Sequence, residues 1–116
     1  MEQNDPFHVW KEFNLKQKQN AEINRKKMFQ KVWKTIEILS KKYDWEQIYI
    51  FGSLIKEGAF TNHSDIDIGI SGLNKFDHFK FVSDISGILE RNVDVALLED
   101  LDFADVIKKR GVQWKK

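Results

Sequence analysis

The hydrophobic positions of this chain change period several times, and each change marks an element. Phe29, Val32, Trp33, Ile36 and Leu39 recur at three/four spacing, with lysines on the opposite face. This predicts a long amphipathic helix from about Ala21 to Tyr43, stopped near Asp44. Gln47-Ile48-Tyr49-Ile50-Phe51 is a β-branched and aromatic run ending at Gly52-Ser53, a strand that leads into a turn. Leu54 to Lys56 begins a short helix, and Gly58 to Ser64, with Thr, Asn, His and Ser together, reads as a loop. Asp65-Ile66-Asp67-Ile68-Gly69-Ile70 alternates strictly, which predicts a strand with two unlike faces.

Helical spacing returns from Phe76 to Arg91 through Val82, Ile85 and Leu89. Val93 to Leu98 is a third strand, apolar enough to be central. Asp102 is placed to cap a last helix, with Asp105 three residues on and Gly111 as its stop, and Val112-Gln113-Trp114 can add an edge strand. The first twenty residues mix Phe7, Trp10 and Phe13 with polar residues. They are read as an N-terminal extension, a short helix that docks on the body or on a partner, ahead of a domain over 21–116. Alternating helices and strands predict an α/β (α+β) fold, a small sheet flanked by helices, with strand directions left open.

Composition narrows this picture. The chain has 116 residues, the size of one compact domain. It has no cysteine, so disulfides, a thiol nucleophile and thiolate metal sites are excluded. Met1 to Pro6 is polar and no apolar stretch approaches membrane-span length, which predicts a soluble, cytoplasmic protein with no membrane attachment. Net charge is +1, giving no global pull toward nucleic acid. The distribution is uneven: Lys11 to Lys34 is basic, and Asp65 to Asp105 is acid-rich. Such runs are ordinarily solvated helix faces; the alternative is that the basic third faces an anionic ligand or an acidic partner.

Three acids fall where acids are costly. Asp65 and Asp67 are two apart on a strand and leave the same face, while Ile66 and Ile68 point into the core. Adjacent carboxylates repel, and a divalent cation relieves that repulsion. Asp94 sits among Val93, Val95, Ala96 and Leu97, where an unpaired carboxylate would be expensive to bury; pairing with a lysine is the bland alternative. If its strand neighbours that of Asp65 and Asp67, the three acids outline a two-metal site. Upstream, Gly52-Ser53 follows a strand and opens a helix, a setting in which backbone N–H groups cradle phosphate. His8, His63 and His78 are too scattered for a zinc site and are expected at the surface, with His63 close enough to the Asp pair to touch substrate. Trp10, Trp33 and Trp45 read as core or docking aromatics.

Phe51-Gly52-Ser53 followed by Ser64-Asp65-Ile66-Asp67-Ile68, with Asp94 in Val93-Asp94-Val95, resembles the signature of the DNA polymerase β-like nucleotidyltransferase superfamily, and within it the minimal nucleotidyltransferase (MNT) branch. The resemblance runs from Gln47 to Trp114. It implies a palm fold with a mixed sheet flanked by helices. Gly52 and Ser53 would hold the triphosphate of ATP, Asp65 and Asp67 would bind two magnesium ions, and Asp94 would complete the metal site and help deprotonate the acceptor. Two departures stand out. The stretch from Leu54 to Ser64 is one residue longer than the family's usual gap, and the arginines common after the serine are replaced by Leu54, Ile55 and a single Lys56, which points to weaker triphosphate affinity.

Free-standing MNT proteins are commonly paired with a helical HEPN protein in toxin–antitoxin systems. The resemblance therefore implies an antitoxin that adenylylates a tyrosine of a HEPN toxin, without direct nucleic-acid binding, and with the N-terminal segment available for oligomerisation. Two alternatives are a non-catalytic antitoxin that neutralises its partner by contact, and a small-molecule transferase of the aminoglycoside type.

Overall fold

A computed structural model describes residues 6–116 of the chain, with side chains from Val9 onward, so Phe7 and His8 lie outside the described side chains. Helix α1 spans Pro6–Leu39, β1 Gln47–Phe51, β2 Ile66–Ser71, α2 Lys75–Leu89, β3 Val93–Leu97, α3 Ala104–Arg110 and β4 Val112–Gln113. Short 3₁₀ turns at Gly52–Ile55 and Leu98–Asp100 follow β1 and β3.

The four strands form one mixed sheet in the order β3-β2-β1-β4. β1 pairs antiparallel with β2 and with β4, whereas β2 and β3 run parallel across the α2 crossover. α1 and α2 cover one face. Ile66, Ile68 and Ile70 of β2 are wholly buried there beside Ile48, Ile50, Val32, Ile36, Phe81 and Ile85. Each such side chain contributes about 2 kcal/mol by leaving water. A second, smaller cluster of Tyr49, Leu98 and Ile107 sits apart from this core. Among the described residues, no helix is long and apolar enough to cross a membrane.

Several sequence expectations are corrected. The extension and the amphipathic helix are one 34-residue helix with no break near residue 20. It gives the molecule a 65 Å long axis. Its helix-forming Lys, Gln and Glu residues carry the helix past the apolar stripe that packs on the sheet. β3 is an edge strand, not a central one. Its apolar residues reflect one buried face, with Val93 and Val95 inward and Asp94 outward, and Leu97 and Leu98 packed into the two clusters. The helix after it is capped by Phe103 without a side-chain bond, so Asp102 is not the N-cap. Gly111 does end that helix, through an extended conformation and a bond from its N–H to the Ile107 carbonyl.

Candidate active site

The sheet face opposite α1 and α2 carries the chemistry. On β2 the alternation that buries the isoleucines turns Asp67, Gly69 and Ser71 to this second face. The parallel register sets Asp94 of β3 directly beside Asp67. Asp65 stands just ahead of β2, exposed, with Asp94 exposed and Asp67 half-buried. Thus the three acids share one face, Asp67 in the middle.

Burial pushes the Asp67 carboxyl above the ordinary carboxylate range, and the charges of Asp94 and then Asp65 push it further. None of the three makes an ion pair with any described residue. A cluster of like charges left without a cation fits a hard divalent ion. Among the described residues no three acidic or imidazole groups are arranged to hold an ion alone. Magnesium takes one or two carboxylates and fills its remaining positions with waters and substrate phosphate oxygens. Asp65 and Asp67 are the residues that would hold it, with Asp94 at their side.

Gly52 approaches from β1. Its φ of 76° is left-handed, and it swings the chain so closely over Asp67 that a Cβ here would overlap Asp67 Oδ2 and lie 3.0 Å from its Cγ. Ser53 follows, half-buried, its hydroxyl without a partner among the described residues. The next turn is anchored to α1. Arg25 Nη1 donates to the Leu54 carbonyl at 3.1 Å, and the Gly58 N–H donates to Glu22 Oε1 at 2.7 Å. Arg25 and Glu22 also pair with each other at 2.8 Å.

A second anchor holds the loop ahead of Asp65. Arg91, just after α2, donates through Nε to the Ser64 carbonyl at 2.9 Å and through Nη2 to the Thr61 carbonyl. Its guanidinium lies 4.5 Å from the centre of the Phe60 ring. Lower on the same face, the absence of a side chain at Gly69 admits Leu98, whose Cδ2 would lie 2.8 Å from a Cβ there, and Ile107 packs alongside. The lower half of the face is thereby closed, and its upper half is left to the acids.

Glu22, Arg25 and Arg91 were not singled out by the sequence, because each acts on a segment far along the chain. Of the histidines, His63 is exposed and its backbone N–H bonds Thr61 Oγ1. His78 departs from the expected surface position: it is half-buried and Nε2 bonds the Val95 carbonyl of the edge strand at 2.8 Å.

A family model described as polymerase beta, nucleotidyltransferase matches residues 33–113. The chain belongs to this family. No curated protein and no solved structure matches it. The match takes in all four strands and every residue of the acidic face, and it supports a nucleotidyltransferase-type activity. The match begins inside α1, so most of that helix lies upstream of it.

Proposed function

We propose that the chain is a magnesium-dependent nucleotidyltransferase that moves AMP from ATP to a hydroxyl of a partner protein, a tyrosine of a HEPN toxin in the reading the MNT resemblance suggests. The observation that carries the transferase reading is the seating of Gly52 against Asp67, with Asp65 and Asp94 on the same uncompensated face. In this reading Gly52 and Ser53 receive the triphosphate and Asp65 and Asp67 hold magnesium. Bound magnesium supplies charge neutralisation and a template for the phosphates.

The acceptor oxygen forms a bond to the α-phosphorus as the bond from that phosphorus to the bridging oxygen breaks, and pyrophosphate leaves. Asp94, open to solvent at the edge of the sheet, takes the hydroxyl proton.

Isothermal titration with a non-hydrolysable ATP analogue, with and without magnesium, tests the site in wild type and in Asp65→Asn/Asp67→Asn. Magnesium-dependent binding that the double variant loses is the expected result. Binding that ignores both magnesium and the substitutions would sink the metal-site reading. Incorporation of labelled AMP into a co-purified HEPN partner tests the acceptor. Neutralisation of that partner by the double variant would favour action by contact alone.

A further inference from the structure

A groove of about 630 Å³ lies between α1 and the 60–62 loop. Gln17, Asn20, Asn24, Lys27 and Lys31 line it from the helix, and Arg91 lines it from the far side. The helical residues continue a stripe that begins further out. Trp10, Phe13, Gln17, Asn20, Asn24, Lys27 and Lys31 follow one another at strict three/four steps, and so lie on one face of α1 over roughly 30 Å. The stripe is graded: aromatic at its outer end, amide in the middle, cationic where it meets the body. Trp10 and Phe13 are 63% and 57% exposed. Among the described residues, Lys27, Lys31 and Arg91 have no carboxylate at ion-pair distance, although Arg25 on a neighbouring face is paired.

Two exposed aromatics in line with cations that have no carboxylate partner make a helix face suited to receive another segment. Its grading tells which. Two copies packed parallel through this stripe would set lysines against lysines, and in either direction the stripe of a second copy brings no carboxylate to Lys27 or Lys31, so a second copy fits poorly. The cationic end also has a direction. Arg91 holds the Ser64 carbonyl, and the next residue is Asp65.

We infer that this stripe and groove form the docking site for an amphipathic segment of the acceptor protein, apolar at one end and acidic at the other. The acidic end lies toward the Thr61–Ser64 loop and hence toward the carboxylate face. The inference rests on the reading of the acceptor as a protein.

The test uses the full chain without nucleotide or magnesium, so that it does not depend on the transferase reading. A display library of random peptides, roughly 20 residues long to run the stripe as a helix, is selected on wild type, and the winners are measured by fluorescence polarisation. The expected winners combine an apolar end with an Asp/Glu-rich end. Trp10→Ala/Phe13→Ala should weaken them about thirtyfold. Lys27→Glu/Lys31→Glu should weaken them roughly tenfold at low salt and less at high salt; selection on that variant should return basic-ended peptides instead.

Asp65→Asn/Asp67→Asn should bind the winners as wild type does, even if it no longer binds nucleotide. No enrichment, winners without acidic bias, or binding indifferent to both pairs of stripe substitutions would overturn the inference. Two other results would also overturn it: tight binding of a fluorescein-labelled oligothymidylate that displaces the peptides, or a dimer in sedimentation abolished by Trp10→Ala/Phe13→Ala.

Discussion

Gly52 is the point at which the backbone geometry and the proposed chemistry are the same fact, and Gly52→Ala tests both. Two costs follow from the structure. The first is the left-handed conformation at φ 76°, worth about 1–2 kcal/mol for alanine. The second is the collision of the new Cβ with Asp67, whose Oδ2 it overlaps and whose Cγ and Cβ it meets at 3.0 and 3.2 Å. Turning that side chain away from its well costs about 1 kcal/mol more.

Gly58 separates the two. It has φ 79°, and a methyl group there would meet nothing within 4 Å, so Gly58→Ala carries the backbone cost alone. Urea unfolding followed by tryptophan fluorescence should show Gly52→Ala about 2–3 kcal/mol less stable than wild type and about 1 kcal/mol less stable than Gly58→Ala. Adding Asp67→Ala should recover that difference as a coupling in a double-mutant cycle. Because the carboxylate must move by about an ångström, transfer activity should fall on the order of a hundredfold in Gly52→Ala, whereas Gly58→Ala is spared. Equal losses of stability in the two variants, with no coupling to Asp67, would refute the close approach on which the site is built.

The two perturbed aspartates should answer pH with opposite signs. Asp67 is held above the ordinary carboxylate range, so the folded chain keeps its proton longer and stability falls as pH rises from that range through the raised value; Asp67→Asn should raise the urea midpoint at neutral pH and lose that gain near about pH 3. Asp84 is held below the ordinary range by hydrogen bonds from Lys42 and then Tyr43, so its contribution is present above that range and lost as pH falls through the lowered value. Asp84→Asn should therefore lower the midpoint at neutral pH, with the deficit closing in acid; parallel pH profiles for the two variants would refute both assignments. Gly69→Val should cost about 1–3 kcal/mol by driving Leu98 and Ile107 off the sheet, read as a shift in urea midpoint. Arg91→Met should loosen the loop ahead of Asp65, seen as faster amide exchange at 61–65 with the sheet still protected; unchanged exchange there would show that the two carbonyl bonds do not hold the loop.

What could be read from the sequence follows from the range of the interaction involved. Strand β2 was legible because its two faces meet unlike surroundings, isoleucines in the core and Asp67 and Gly69 on the other side. The pairing of Asp67 with Asp94 was legible only as a condition, since nothing local states that β2 and β3 are neighbours; the parallel register supplies it. The apolar content of β3 misled because a strand with one buried face and packed ends looks like a strand flanked on both sides. Asp102 misled for a related reason: a capping residue type is common, and here Phe103 takes the position, with the helix entered from a turn at Asp102 and Phe103. The anchors could not be read at all. Arg25 reaches Leu54 across 29 residues and Arg91 reaches Ser64 across 27, and an arginine does not announce the carbonyl it will bind.

Those anchors bear on how α1 relates to the nucleotidyltransferase fold. The family match starts at residue 33, so Glu22 and Arg25 lie outside it, yet they grip Leu54 and Gly58 on the turn that follows Ser53. The upstream helix is therefore fastened to the turn after Ser53 at one turn of its length. On a neighbouring face of that turn, Asn24, Lys27 and Lys31 line the groove. A partner seated there would press on the same stretch of helix that fixes the Gly-Ser turn, while Arg91, shared between the groove and the Ser64 carbonyl, touches the other side of the site. Arg91 is thus shared by the proposed docking groove and the anchoring of the site. In this arrangement a helix too long for the fold it packs against becomes intelligible: its inner part builds the core, its middle holds the turn, and its outer part is left to reach.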